Sequence, residues 1–160
     1  MFDIFKKLIA KKPGVISLND PDFGYITFDP SDSDPTIGIW QMEEDWEIPE
    51  DFAKVGCGSI PGTSRGPDDN ARAFLLAKNR SLKSVWDLVF VRLEAIRRQW
   101  RPDTEQQDLR QVFRLTSLSL DEPMIDPPNW EVSFEPVGGK WIYASIRLCG
   151  DVITGDTIDT

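Results

Sequence analysis

An α+β fold is predicted for this chain: a largely antiparallel sheet built from N- and C-terminal strands, with two to three mid-chain helices packed on one face. Three observations predict it. Short runs of strand-like residues occupy the first and last thirds of the sequence. The longest helical stripe lies between them. The order is strands, helices, strands, without the βαβ alternation that a parallel α/β sheet requires.

The helical stripe runs through SLKSVWDLVFVRLEAIRRQW, from Ser81 to Trp100. Leu82, Trp86, Val89, Leu93, Ile96 and Trp100 recur at steps of four and three, the spacing of an amphipathic helix about five turns long. Ser81 is the candidate N-cap, and Arg97, Arg98 and Arg101 fall where the C-terminal end of a helix dipole favours cations. Val85, Leu88, Phe90 and Val91 widen the apolar surface, so neighbours on more than one side are expected. The basic end is also a candidate counter-charge to the acidic strands. Before this stripe, Asp68, Asp69 or Asn70 caps a helix entered at Pro67 and running to about Lys78. After it, Thr104 to Phe113 reads as a third short helix, capped by Asp103 or Thr104.

The strands are read from alternation and punctuation. Val15 to Leu18 and Phe23 to Phe28 flank an Asn19-Asp20-Pro21-Asp22 turn. The loop DPSDSDP at 29–35 precedes Ile37 to Met42, and a fourth strand from about Lys54 to Ile60 ends at a Pro61-Gly62 turn. In the last third, LTSLSL at 115–120 and WEVSFEP at 130–136 alternate apolar with polar residues, the mark of half-buried antiparallel strands. Gly138-Gly139 turns the chain into 141–150, and a last pairing segment spans Val152 to Ile158.

At 160 residues the chain fits one domain over 13–160, large enough to bury a core without staples. A short basic segment at 1–12 precedes it, with Phe2, Phe5, Leu8 and Ile9 beside Lys6, Lys7, Lys11 and Lys12. That segment is expected to dock on the acidic body or to fray. No apolar run reaches membrane-spanning length and no secretory signal is evident, so a cytoplasmic protein without a transmembrane segment is expected. Cys57 and Cys149 form no metal-spaced pair and read as reduced, small buried fillers.

Charge narrows the partners. The formal net charge is -9, which disfavours nucleic acid, because phosphate binding needs a basic face. From Pro13 to Ala53 there is no Lys or Arg, while Asp20, Asp22, Asp29, Asp32, Asp34, Glu43, Glu44, Asp45, Glu47, Glu50 and Asp51 contribute eleven carboxylates. Trp40, Trp46, Ile48 and Phe52 interleave with this stretch, so some of them must turn inward. A basic protein is the expected partner.

Catalytic constellations are scarce. There is no histidine, which removes the commonest general base and every Ser-His or Cys-His couple. Gly62-Thr63-Ser64-Arg65-Gly66 matches the G-x-S-x-G pattern in letters, but Pro61 and Pro67 bracket it as a loop, where a nucleophile elbow needs a strand before and a helix after. Gly56, Gly58 and Gly62 lack the Gly-Lys-Ser/Thr of a phosphate loop. Asp32, Asp34, Thr36 and Glu43 occupy positions of a calcium-loop frame whose obligatory glycine is Ile37 instead, so a solvated Asp-rich turn is expected. No cofactor fingerprint and no metal cage are found, and the balance leans against an enzyme.

The D-P-D-F-G-Y-I strand at 20–26, the R-G-P at 65–67, the long helix ending in Trp100, and the L-T-S-L-S-L and W-E-V-S-F strands resemble small, acidic bacterial proteins with domains of unknown function, some from toxin-immunity neighbourhoods. The resemblance implies an α+β cytoplasmic protein with a binding role. It carries over no functional residue. The leading expectation is a non-enzymatic, immunity-like interaction protein that presents Glu43, Glu44, Asp45, Trp46, Glu47, Glu50 and Asp51 to a basic partner, with charge steering the encounter and aromatics anchoring it. The alternatives are a carboxylate-based, metal-dependent hydrolase and a structural or oligomer-forming domain.

Overall fold

A computed structural model describes residues 15–42, 57–138 and 143–159. The basic segment 1–12 and the stretch 43–56 lie outside the described residues. The first strands are β1 (Ser17–Asp20), β2 (Gly24–Pro30), β3 (Ile37–Met42), β4 (Cys57–Thr63) and the two-residue β5 (Gly66–Pro67). Helices α1 (Asp69–Arg80) and α2 (Leu82–Trp100) follow, then a 3-10 turn at Pro102–Thr104 and a short α3 (Leu109–Val112). The chain closes with β6 (Phe113–Ser119), β7 (Asn129–Pro136), β8 (Tyr143–Cys149) and β9 (Val152–Asp159).

These strands form one nine-stranded sheet in the order β1-β2-β3-β4-β6-β7-β8-β9, with β5 paired to β4. It is mostly antiparallel, as expected. The exception is the joint between β4 and β6, where Cys57, Gly58 and Ser59 run parallel to Ser117, Leu118 and Ser119. All of the described helices lie in the connection between these two strands. A parallel pair needs such a crossover, since a tight turn cannot return the chain in the same direction. The sequence reading, which found no βαβ alternation, missed this one unit.

Alternation in the last third is kept in the structure. Leu115, Leu118, Val132, Phe134, Ala144 and Ile146 are all fully buried. Their neighbours Ser119, Glu131, Ser133, Ser145 and Arg147 keep solvent access. Trp86 of α2 meets Phe134 edge-on at 4.9 Å between ring centroids, and Phe74 of α1 meets Trp130 at 5.7 Å. Lys78 lies over the Trp130 ring at 4.9 Å, where the ring's negative face attracts the ammonium.

Along α2, Leu82, Trp86, Val89, Leu93 and Ile96 are buried as their spacing predicts, with Val85 beside them, while Trp100 at the end is 37% exposed. Phe90 and Val91 are 52% and 79% exposed, so the expected widening stops short of them. Ser81 also differs from expectation. It is the single residue joining α1 to α2, makes no side-chain cap to α2, and donates its hydroxyl back to the Ala77 carbonyl at 2.8 Å. Asp68 does cap α1, accepting from the Ala71 amide at 2.9 Å. The third helix is much shorter than the spacing suggests. Asp108 accepts the Arg110 amide at 2.8 Å and starts the helix there, and Phe113 already belongs to β6.

Pro61-Gly62, expected as a turn, continues β4, paired with Ile39 and Gly38. The turn falls two residues later at Ser64-Arg65, between Thr63 and its partner Gly66. The G-x-S-x-G letters are therefore the tip of a hairpin, with no helix opening behind the serine. Gly62 is required by close approach: a Cβ there would sit 2.4 Å from the Gly66 carbonyl oxygen and 3.0 Å from the Trp40 ring.

Candidate interaction surface

Glu43, Glu44, Asp45, Trp46, Glu47, Glu50 and Asp51, the residues expected to meet a partner, lie outside the described residues, as do Ile48 and Phe52. Trp40, at the entry to that stretch, is described and turns inward. Its side chain is buried, its ring packs on Phe28 at 5.2 Å between centroids, and its Nε1–H donates to the Thr63 carbonyl at 2.9 Å. The space left by Gly62 admits the indole. Trp40 is a core residue and offers no anchor to a partner.

At the Ile37/Thr63 end of the β3–β4 pair, opposite the end that leads into 43–56, a groove of about 830 Å³ opens. Ile37, Ile39, Pro61 and Met124 supply apolar surface, and Asp29, Asp68, Asp69 and Asp121 line it with carboxylates. No Lys or Arg lines it. Strand pairing assembles it: Asp29 is opposite Ile39, Ile39 opposite Pro61, and the Gly62–Pro67 pairing brings the start of α1 alongside. The sequence reading missed this site because its parts are scattered. One local signal was available, since each acidic corner adjoins a proline, in Asp29-Pro30, Pro67-Asp68-Asp69 and Asp121-Glu122-Pro123.

A smaller, more polar concavity of about 320 Å³ lies along β7 and β8, lined by Asp121, Glu122, Glu131 and Arg147 among others. The hydroxyl of Ser59 donates to Asp121 at its margin. Among the described residues, no three His, Cys, Asp or Glu side chains form a group that could hold a metal ion. In the Asp-rich loop, Asp34 accepts the Thr36 amide at 2.8 Å and its hydroxyl at 2.7 Å, which holds its pKa below the ordinary carboxylate value. That carboxylate closes a local turn. Cys149 is half-buried on β8, short of the full burial expected of it.

Most of the described cations are drawn into ion pairs. Arg72 of α1 binds Asp20 and Asp22 of the β1–β2 turn, Lys78 reaches Asp151 at 2.9 Å, and Arg92 of α2 meets Asp156 of β9. Among the described residues the basic end of α2 pairs locally; much of the acidic stretch it was expected to neutralise, 43–53, lies outside the described residues. Arg97 and Arg98 both bind Glu94 on their own helix, and Arg101 binds Asp103 just beyond it. At i,i+3 and i,i+4 spacing, Glu94 shares a helix surface with Arg97 and Arg98. Burial works to raise the pKa of Asp20, but hydrogen bonds from Arg72 and the Asp22 and Phe23 amides outweigh it and hold the carboxyl low. Hydrogen bonds from Arg97, then Arg98, bring Glu94 down to about 2.

Among the described residues no helix is long and apolar enough to cross a membrane. Comparison of the chain with protein-family models, with curated proteins and with solved structures finds no match.

Proposed function

We propose that this is a non-enzymatic interaction protein, immunity-like in character, that binds a basic protein through its acidic surface. The observation that carries the reading is the cation-free run from Pro13 to Ala53 with its eleven carboxylates. Arg72 accounts for Asp20 and Asp22, whereas Asp29 and Asp32 have no ion-pair partner among the described residues. Uncompensated charge of one sign raises the encounter rate with an oppositely charged partner and orients it. In this reading α1 and α2 form a layer over the Phe134 face of the sheet, leaving the opposite, polar face and the acidic loops to the partner. Glu43, Glu44, Asp45, Trp46, Glu47, Glu50 and Asp51 supply the remaining contacts.

Affinity capture from the native host at low and high salt tests this, with Glu43→Lys/Glu44→Lys/Asp45→Lys as the matched variant. Recovery of a basic protein that is lost at high salt and lost with the variant is the expected result. Failure to recover any basic protein removes the proposal. A saturable heat with calcium, magnesium or manganese in calorimetry would favour the metal-dependent alternative instead.

A further inference from the structure

We infer that the groove over β3, β4 and β5 is a receptor for an extended peptide segment in which lysine or arginine alternates with apolar side chains, presented by the basic partner. The inference rests on the interaction reading above and adds a location and a chemistry to it. The apolar surface comes first. Ile37 is 45% exposed beside Ile39, Pro61 and Met124, in a cavity of about 830 Å³ that has room for several side chains. A bare apolar groove would accept any hydrophobic sequence. This one is selective, because Asp29, Asp68, Asp69 and Asp121 surround it and no cation lines it.

The four carboxylates come from three places in the fold: Asp29 from β2, Asp68 and Asp69 from the start of α1, and Asp121 from the loop after β6. A ligand cation on either side of an apolar anchor therefore finds an acid. An acidic segment would meet repulsion from all of them, which supplies specificity as well as attraction. An extended segment places successive side chains on opposite sides. With apolar residues seated on the floor, the basic residues between them point away from it, and the long stems of lysine and arginine reach back to the acidic rim.

A short end-capped peptide alternating lysine and leucine is the probe, titrated into the full chain and followed by anisotropy and by methyl NMR. Alternating glutamate-leucine and lysine-serine peptides are the controls. Saturable binding of the lysine-leucine peptide is expected, with shifts at the Ile37, Ile39 and Met124 methyls and weaker binding by both controls. Asp29→Lys/Asp69→Lys should weaken binding about tenfold or more, and its loss should be steepest at low salt. Asp29→Asn/Asp69→Asn checks the same charges with less perturbation of α1. Asp87→Lys, on α2, should leave affinity unchanged.

Peptide binding whose shifts fall elsewhere, and which Glu43→Lys/Glu44→Lys/Asp45→Lys abolishes while Asp29→Lys/Asp69→Lys does not, overturns the groove and leaves the interaction reading intact. Binding only after removal of residues 1–12 overturns the partner assignment in favour of the chain's own basic segment. A concentration-dependent dimer that Ile37→Ser dissolves assigns the groove to a second copy and overturns it likewise. No binding by any basic peptide overturns it outright.

Discussion

On crossing from β6 to β4 the sheet changes the way it fills its interior. In β6, β7 and β8 the buried positions are taken by Leu115, Leu118, Val132, Phe134 and Ile146, each with no accessible surface. In β3 and β4, Trp40, Met42 and Ile60 are buried, and glycines let the backbone come close: a Cβ at Gly58 would meet the Leu118 carbonyl oxygen, and one at Gly62 the Gly66 carbonyl oxygen and the Trp40 ring. One region is filled by side chains; the other combines buried side chains with backbone drawn close at glycines. The consequence reaches the surface. Close approach at Gly62 folds β5 tightly onto β4, and Gly66, Pro67 and Asp68 then become groove lining. The candidate binding surface lies in this second region.

The sharpest way to break this contrast is in the well-filled region. Phe134→Ala should cost about 3 to 5 kcal/mol and Leu93→Ala about 2 to 5, because each side chain has no accessible surface and its removal leaves a cavity. Urea denaturation checks both, and losses well under about 1 kcal/mol would place the core elsewhere. In the glycine-bearing region the damage comes from adding atoms. Gly62→Ala should destabilise by about 1 to 3 kcal/mol, through contact with the Gly66 carbonyl and displacement of Trp40. Red-shifted emission from a partly solvated indole is the accompanying optical sign.

Acid provides a finer comparison. Glu94 has its pKa depressed from 4.5 to about 2 in the folded protein. Its contribution is therefore complete above the unfolded value and is lost as pH falls through the folded one. The stability difference between the wild-type chain and Glu94→Gln should be largest near neutrality and shrink between pH 4.5 and about 2. Asp20, also depressed, should behave in the same sense from its ordinary 3.8 downward. Denaturant midpoints measured across this range decide both. The smallest effect on folding belongs to the groove. Ile37→Ser should change stability by no more than about 0.5 kcal/mol, as an exposed position does, while weakening capture of the lysine-leucine peptide.

Sequence periodicity was enough to locate most elements because each period records a local geometry. Ile37 to Met42 and the 130–136 strand alternate since successive strand side chains face opposite ways, and the stripe from Leu82 to Ile96 repeats as a helix does. Capping was legible where an aspartate stood free to accept amides, at Asp68. It misled at Ser81, where a preceding helix offered the hydroxyl a nearer carbonyl. The acidic run was equally plain, but its pairing was not. Arg72 lies 52 residues from Asp20, and only the packing of α1 near the β1–β2 turn brings them together.

By itself the sequence determined the α+β class, the positions of most strands and of the two longer helices, the acidic imbalance and the want of an imidazole. Tertiary structure decided the parallel joint of β4 with β6, the inward turn of Trp40 and the grouping of Asp29, Asp68, Asp69 and Asp121 around Ile37 and Ile39. The division has a physical cause. Backbone geometry and burial repeat within a few residues and leave their period in the chain, whereas which strand edges meet is settled by hydrogen bonds and packing between segments far apart in sequence.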